Sequence, residues 1–508
     1  MKYDINLEFL NKFVLFVPYC KIYENFISKC FQSINEQNYE NIEVIIVVDG
    51  TADMTVVNNW IYGKDNVTVL LYDTNQGPAF SKWKFIEHIQ QNIDKYSYND
   101  IIAILDGDDY LNPEALYIVN NTYNSHKCWV TYGNASGKFC DFEIPENINS
   151  WQNIRKEKWI YNHIRTCRLF LLLKFEINDF KMNDKWLTKY TDRPFIYNII
   201  EWSSLNQCKH IKDILYNYIE HEDNSYKTIN YVEKKIQFDF VTNITPKEVI
   251  VEDIHIVMCI WNRIDVLTTQ LDNLNEQTVS DRIILHIINN NQENKYNVEE
   301  IIKMLPVINK LRIVTYNYNN EFFGFQRFLT IRDNILKKYF VDYIIIIDDD
   351  QLFKNDWVEK MYNLRTPKTY YSWYVKKWNK DNLDYWNGSL TSYTDCKKQN
   401  KDKLTGNFHY GGMCGSIIDT SIFNKKSKLW DIPSDLPKNV NVYNIEDLWL
   451  SFIIIKYYDW EIKSSFLPEQ MSLNNDKKCD KYSLWKTLIK EKQDLLEYLY
   501  HQKCYINE

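Results

Sequence analysis

Apolar residues in this chain come in unbroken runs that end on acids. VIIVVD (44–49), IIAILD (101–106) and YIIIID (343–348) do not alternate with polar residues, and each finishes in an aspartate. A strand with one wet face alternates, whereas a strand covered on both faces does not. The runs therefore predict strands inside a mostly parallel sheet. Amphipathic stretches between them predict helices over both sheet faces, an α/β architecture. Ligands bind such sheets beyond the carboxyl ends of the strands, where these aspartates fall.

The pattern occurs twice. FVLFVPYCKIYENFISKCFQSINEQNYENIEVIIVVDG (13–50) lines up with IHIVMCIWNRIDVLTTQLDNLNEQTVSDRIILHIINNN (254–291), and each contains Asn-Glu-Gln, at 35–37 and 275–277. The acidic stretches IIAILDGDDY and YIIIIDDDQL keep nearly the same offset, 242 positions against 240 (348 − 106 and 275 − 35). HIRTCRLF (163–170) is expected to face HYGGMCGS (409–416), and Asp192 to face Asp447, each at a helix start. Such self-similarity predicts duplication of one fold. The 508 residues exceed one ordinary core. The expected division is a first domain over 1–235, a linker over 236–252, and a second domain over 253–508 that ends in a helix.

Carboxylates two apart at a strand end can hold a divalent cation that bridges phosphates, leaving other positions to phosphate oxygens and water. Asp106-Gly107-Asp108-Asp109 and Asp348-Asp349-Asp350 have that form, although short acidic pairs also occur in plain turns and solvated edges. Composition narrows the alternatives. A net charge of −8 with both signs interspersed, and no long basic tract, gives no nucleic-acid footprint. The first twenty residues lack a secretory pattern, and RLFLLLKF (168–175) is too short to span a bilayer. Eleven cysteines without a C-x-x-C pair fit reduced thiols in a cytoplasmic setting. The abundance of Asn, Ile, Lys and Tyr fits an AT-rich coding genome such as those of giant DNA viruses.

On these motifs the chain resembles glycosyltransferases of family 2, with two GT-A (Rossmann-like) domains in tandem. The resemblance is closest over residues 10–225 and looser over 252–475. It implies transfer of a sugar from a nucleotide-diphosphate donor, most simply a UDP-sugar, to a hydroxyl of a glycan or protein acceptor. It implies inversion at the anomeric carbon and Mn²⁺ or Mg²⁺ as cofactor. In the first half it puts Pro18, Tyr19 and Asp49 at the base, Asn75 and Gly77 beside the donor, Asp106 at the ribose, and Asp108 on the metal. Arg165, in His163-Ile164-Arg165-Thr166, would neutralise diphosphate. In the second half Asn289 takes the place of Asp49, and Asp348 and Asp350 those of Asp106 and Asp108. Arg327 and Arg332 would face the diphosphate there, and Glu446-Asp447 would supply the catalytic base. Gly411, Gly412 and Trp373, the last in the aromatic stretch 369–386, would line the acceptor. The first half lacks the Glu-Asp pair. Asp192 is its candidate base and Glu201 the reserve, yet Asp192 also has the setting of a helix cap before Pro194.

Two active sites are one reading. One active domain beside a degenerate binding domain is another. A sugar nucleotidyltransferase would use similar carboxylates but needs a Gly-rich basic loop after the first strand, which FVPYCKIYEN does not resemble. A calcium-binding or adhesive module is the non-enzymatic alternative.

Overall fold

The structure, a computed structural model, describes residues 10–136, 154–157, 159–222, 230–261, 263–291, 298–303, 310–378, 383–386, 389–391, 406–467, 471–473 and 487–501. The chain separates into two α/β units. One runs from Leu10 to Ile250 and takes in Lys337–Phe340; the other comprises Val251–Leu336 and the chain from Val341 onward. Among the described residues no helix is long and apolar enough to cross a membrane.

In the first unit β1 (Phe13–Tyr19), β2 (Ile42–Asp49), β3 (Val67–Tyr72) and β4 (Ile101–Ile104) are parallel, with β1 between β2 and β4. The sheet continues through β7 (Asn162–Arg168), β6 (Val130–Ser136), β10 (Cys208–Asn217) and β5 (Tyr110–Leu111), and a hairpin of β8 (Lys181–Met182) and β9 (Lys185–Trp186) stands apart. Phe13, Leu15 and Val17 enter one core cluster, while Val14 and Phe16 enter the other, across the sheet. That two-sided burial is why the strand reads as an unbroken apolar run. The first core lies under α1 (Ile27–Asn35), α2 (Thr55–Ile61) and α4 (Ala115–His126), the second under α3 (Pro78–Gln91) and α5 (Asp192–Trp202). Helix α6 (Tyr231–Asn243) overlaps the stretch expected as linker. Its buried Gln237 accepts the N–H groups of Thr188 and Lys189, tying it to this unit.

The second unit repeats the scheme. Strands β11 (Ile254–Ile260), β12 (Ile283–Asn289), β13 (Arg312–Asn317) and β14 (Tyr343–Asp348) are parallel. The sheet continues through β20 (Ser416–Asp419), β16 (Thr369–Ser372) and β21 (Glu461–Ser464). Strand β15 (Gln351–Phe353) pairs with β22 (Met471–Leu473), and β17 (Val375–Trp378) lies between β18 (Ser389–Thr391) and β19 (Tyr410–Gly411). Its helices include α7 (Ile264–Asn275), α8 (Val298–Lys303), α9 (Gln326–Thr330), α10 (Trp357–Asn363), α11 (Glu446–Tyr458) and α12 (Ile489–His501).

The repeated Asn-Glu-Gln does the same work in both units. Gln37 donates to the carbonyl of Asn112 and accepts the N–H of Leu116; Gln277 donates to Lys354 and accepts from Val358. A buried amide thus pins the end of the first helix to the segment after the acidic strand. One expected pairing is corrected. Ile104 pairs with Arg165, and Ile346, its counterpart 242 positions on (346 − 104), pairs with Ser416. Arg165 therefore corresponds to Ser416, and HIRTCRLF does not face HYGGMCGS. Unequal insertions before an antiparallel strand change its sequence offset while hydrogen-bond register is kept.

Two residues show how the acidic loop is brought to β1. Strand β4 ends at Ile104, opposite Phe16, and Leu105 donates its N–H to the Phe16 carbonyl. Two residues on, the missing N–H of Pro18 therefore faces an edge that β4 has already left, so a central strand tolerates the proline. The Pro18 carbonyl then lies against Gly107. A Cβ on Gly107 would fall on that oxygen and 3.0 Å from the Tyr23 ring. Gly107→Ala should cost about 1–3 kcal/mol through forced displacement, read as a lowered urea midpoint with unchanged slope. A variant as stable as wild type would dispose of the close approach.

Candidate active sites

The carboxyl ends of β1, β2 and β4 gather Pro18, Tyr19, Asp49 and the Asp106–Asp109 loop. Asp49 is buried, and its two carboxylate oxygens accept the N–H groups of Gln76 and Gly77 at 2.9 and 2.7 Å. It thereby holds the Asn75–Gly77 loop. Gly77, at φ +97°, turns that loop into α3 with Pro78 in the first turn. Tyr19 donates its hydroxyl to the Asp53 carbonyl at 2.6 Å, and burial, then Glu24, push the phenol up to about 12.

Three carboxyls sit within one short loop, each with a different partner. Asp106 lies 3.8 Å from His163 Nε2; burial, then the charge of Asp192, raise it to about 7. Asp108 meets His221 Nε2 at 2.9 Å, and burial raises it against that bond. Asp109 is 1% exposed and accepts both the Tyr216 hydroxyl and the Ile219 N–H at 2.7 Å. Burial, then Asp108 and Asp106, push it up to about 9. Asp109 is thus the inward anchor, while the Asp106 side chain keeps 23% exposure and that of Asp108 9%.

Asp192 is the first residue of α5 and not its N-cap, a place taken by Thr191. Its carboxylate instead takes Lys82 at 2.8 Å and Arg165 at 2.7 Å. Burial would raise its proton affinity, yet Lys82 and Arg165 together hold it well below the usual carboxylate range. A carboxylate so held is a weak base. Glu201 is corrected from its reserve role: it is buried in a two-pronged pair with Arg155 at 2.6 and 2.7 Å and also accepts the Lys247 N–H. Sequence reasoning missed Lys82, Tyr216 and His221. Lys82 sits on the buried face of α3, where a lysine needs a partner, and that was its legible signal. His221 stacks on Phe26 with ring centroids 4.6 Å apart.

In the second unit Asp348 lies 3.3 Å from Arg327, whose other nitrogen is 3.6 Å from Glu446. Gly324 passes so close to Glu446 that a Cβ there would overlap its carboxylate. Arg332 does not join: it pairs with Asp333 and lies over Trp430 at 4.3 Å. Arg263 binds Asp349 at 2.5 Å and Asp350 at 3.2 Å. Burial, then Asp348, push Asp350 up to about 7. Asn289, the counterpart of Asp49, donates to Asn317 and accepts the Asn291 N–H. Gly411 lets the chain lie against the Tyr370 ring and Gly412 packs against Tyr374; the Tyr370 hydroxyl donates to the Gly412 carbonyl at 2.9 Å, and the neighbouring Tyr410 donates to Asp447. Trp373 is not brought to these groups; it is 7% exposed within the core around Trp357 and Ile417.

Among the described residues no group of three or more His, Cys, Asp or Glu is arranged to hold a metal ion. Asp108 with His221 still offers two donors at 2.9 Å from each other, which fits an ion completed by diphosphate and water. Asp350 has no such neighbour here and shares Arg263 with Asp349.

The family model described as Glycosyl transferase family 2 matches residues 15–189. The first unit carries a glycosyltransferase domain. Chondroitin synthase of Pasteurella multocida is 23% identical over 542 aligned residues, covering 88% of this chain and 52% of that protein. Hyaluronan synthase of the same species is 25% identical over 234 residues, 44% of this chain and 22% of the relative. The chain thus spans about half the length of the first relative. Among solved structures, S. aureus TarS 1-349 in complex with UDP-GlcNAc is similar at 18% identity and a TM-score of 0.34, over 47% of this chain and 68% of that one.

The inward anchor of the glycosyltransferase domain predicts a pH signature. The folded-state affinity of Asp109 for its proton is raised, from an ordinary value near 4 to about 9. Its contribution to stability is therefore full below about pH 4 and is lost as pH rises toward 9. Asp109→Asn cannot ionise, so its urea midpoint should fall less than that of wild type between pH 5 and pH 9. Parallel curves for the two proteins would refute the assignment.

Proposed function

We propose that the chain is a bifunctional, divalent-metal-dependent glycosyltransferase that moves sugars from nucleotide-diphosphate donors, UDP-sugars foremost, to hydroxyls of a growing glycan with inversion. The reading rests chiefly on one observation. In each half, carboxylates at the carboxyl edge of the sheet face buried cations: Lys82 and Arg165 in the first, Arg327 in the second. The family match over residues 15–189 and an aligned relative that runs across 88% of the chain support it. The free cysteines suit the reducing cytoplasm.

In the first site Pro18, Tyr19 and Asp49 border the base, and Asn75 and Gly77 form the loop beside it. Asp106 orients the ribose. Lys82 and Arg165 neutralise the diphosphate, and drawing them toward phosphate loosens their hold on Asp192. Its proton affinity then rises, and it can take the acceptor proton. Asp108 and His221 would hold Mn²⁺ or Mg²⁺, which supplies charge neutralisation for the leaving diphosphate. In the second site Asn289 borders the base, Asp348 and Arg327 meet the donor, and Asp350 is the metal-side carboxylate. Glu446 and Asp447 supply the base, and Gly411 and Gly412 shape the acceptor side.

A second reading, one active site beside a degenerate one, draws on the single, ion-paired carboxylate Asp192 where the other half has two. Separate Asp108→Asn and Asp350→Asn variants decide between them, assayed for nucleoside diphosphate release and product with a panel of nucleotide sugars and Mn²⁺. The bifunctional reading expects each to lose a different transfer by about 10²-fold or more, with His221→Ala affecting only the first. A variant that retains every transfer would reduce the protein to one active domain, and pyrophosphate release would make it a nucleotidyltransferase instead.

A further inference from the structure

Two adjacent carboxylates start α11, and their surroundings differ sharply. One oxygen of Asp447 accepts the Tyr410 hydroxyl and Lys492 Nζ, the latter at 3.3 Å, while the other accepts the N–H of Leu448 at 2.8 Å. Glu446 has the Arg327 guanidinium at 3.6 Å and the Gly324 backbone packed against it.

Lys492 belongs to α12, the last described helix, 45 positions from Asp447 (492 − 447). It is no surface charge that has drifted inward. Leu495, Leu496 and Leu499 bury the helix. Gln493 accepts the N–H of Tyr385 at 2.8 Å and donates to the Leu383 carbonyl at 2.7 Å. Asp494 and Tyr498 bond Asn439 and Asp435. So docked, the lysine has its amine 3.4 Å from the Tyr385 hydroxyl and against Asp447, with its side chain 12% exposed. A cation placed there has given up hydration, and the carboxylate is its compensation.

Resting on the second site's proposed role in transfer, we propose that Lys492 is a positioning residue: it fixes Asp447 as the permanent anion of the pair and leaves Glu446 to take the acceptor proton. A carboxylate whose oxygens already receive three donors has little left to offer a proton. Its neighbour, buried beside one guanidinium, keeps an accessible affinity, and burial, countered by Arg327, pushes Glu446 up to about 7. Asp447 is held below the usual range because Lys492 and Tyr410 outweigh its burial.

The other groups facing the pair are consistent with this split. Lys376, wholly buried, donates to the Tyr385 carbonyl at 2.7 Å and lies 3.6 Å from that ring, so its own bond is made elsewhere. Tyr370, Tyr374 and Cys414 feel the Asp447 charge, and burial chiefly keeps all three protonated. Cys259 feels Glu446, and burial keeps it protonated too. Asp348 meets the other terminal nitrogen of Arg327, at 3.3 Å.

The experiment is a titration of ¹³C-labelled carboxyl groups by NMR in the full chain, joined to the pH profile of kcat/KM for the second-site transfer. In wild type, Asp447 should stay ionised across the folded range while Glu446 titrates near neutrality; the reverse order overturns the proposal. Removing a cation raises the proton affinity of both carboxyls. Lys492→Met should therefore move the acid limb of the profile to higher pH by about one unit, and Lys492→Arg should keep it in place. A limb that stays put in a folded Lys492→Met protein, or that moves equally in both variants, also overturns it. The carboxyl titration needs no turnover, so a failure to find any sugar transfer would count against the functional reading alone.

Discussion

A carboxylate taken from water into a cleft costs several kcal/mol unless charge or hydrogen bonds replace its hydration. Both halves of this chain are organised around that cost. The sheet ends present acids because an open α/β sheet leaves its carboxyl edge vacant for a ligand. Those acids stay ionisable only where something opposes them. In the first unit Tyr216, the Ile219 N–H, His221, Lys82 and Arg165 do so. In the second the work falls to Arg263, Arg327, Tyr410 and Lys492.

The scaffold beneath is the same and the compensation is not. Gln37 and Gln277 lock equivalent helix ends to equivalent loops, and the four parallel strands keep one register. Yet a histidine meets Asp108, while an arginine meets Asp349 and Asp350. Backbone packing constrains the whole sheet and resists change. A single side chain at its edge can be exchanged once the net charge is met, so the edges differ where the cores agree.

What could be read in advance followed the same division. Unbroken apolar runs revealed strands covered on both faces, whereas the approach of the Pro18 carbonyl to Gly107 came only with the structure. The Asn-Glu-Gln repeat marked duplication without showing that its glutamine was the operative member. The match of 163–170 to 409–416 failed because β7 and β20 return antiparallel after insertions of different length. Glu201 and Trp373 were chemically suitable but buried in pairs and cores of their own.

Local spacing therefore determined the α/β class, the duplication and the acidic strand ends, because strand burial and backbone register leave a mark on consecutive residues. Only the tertiary structure decided which cation each acid receives. Lys82, His221 and Lys492 lie 110, 113 and 45 positions from Asp192, Asp108 and Asp447 (192 − 82, 221 − 108, 492 − 447). Electrostatic compensation acts through space between side chains, and periodicity along a chain carries no record of which distant lysine or histidine will arrive.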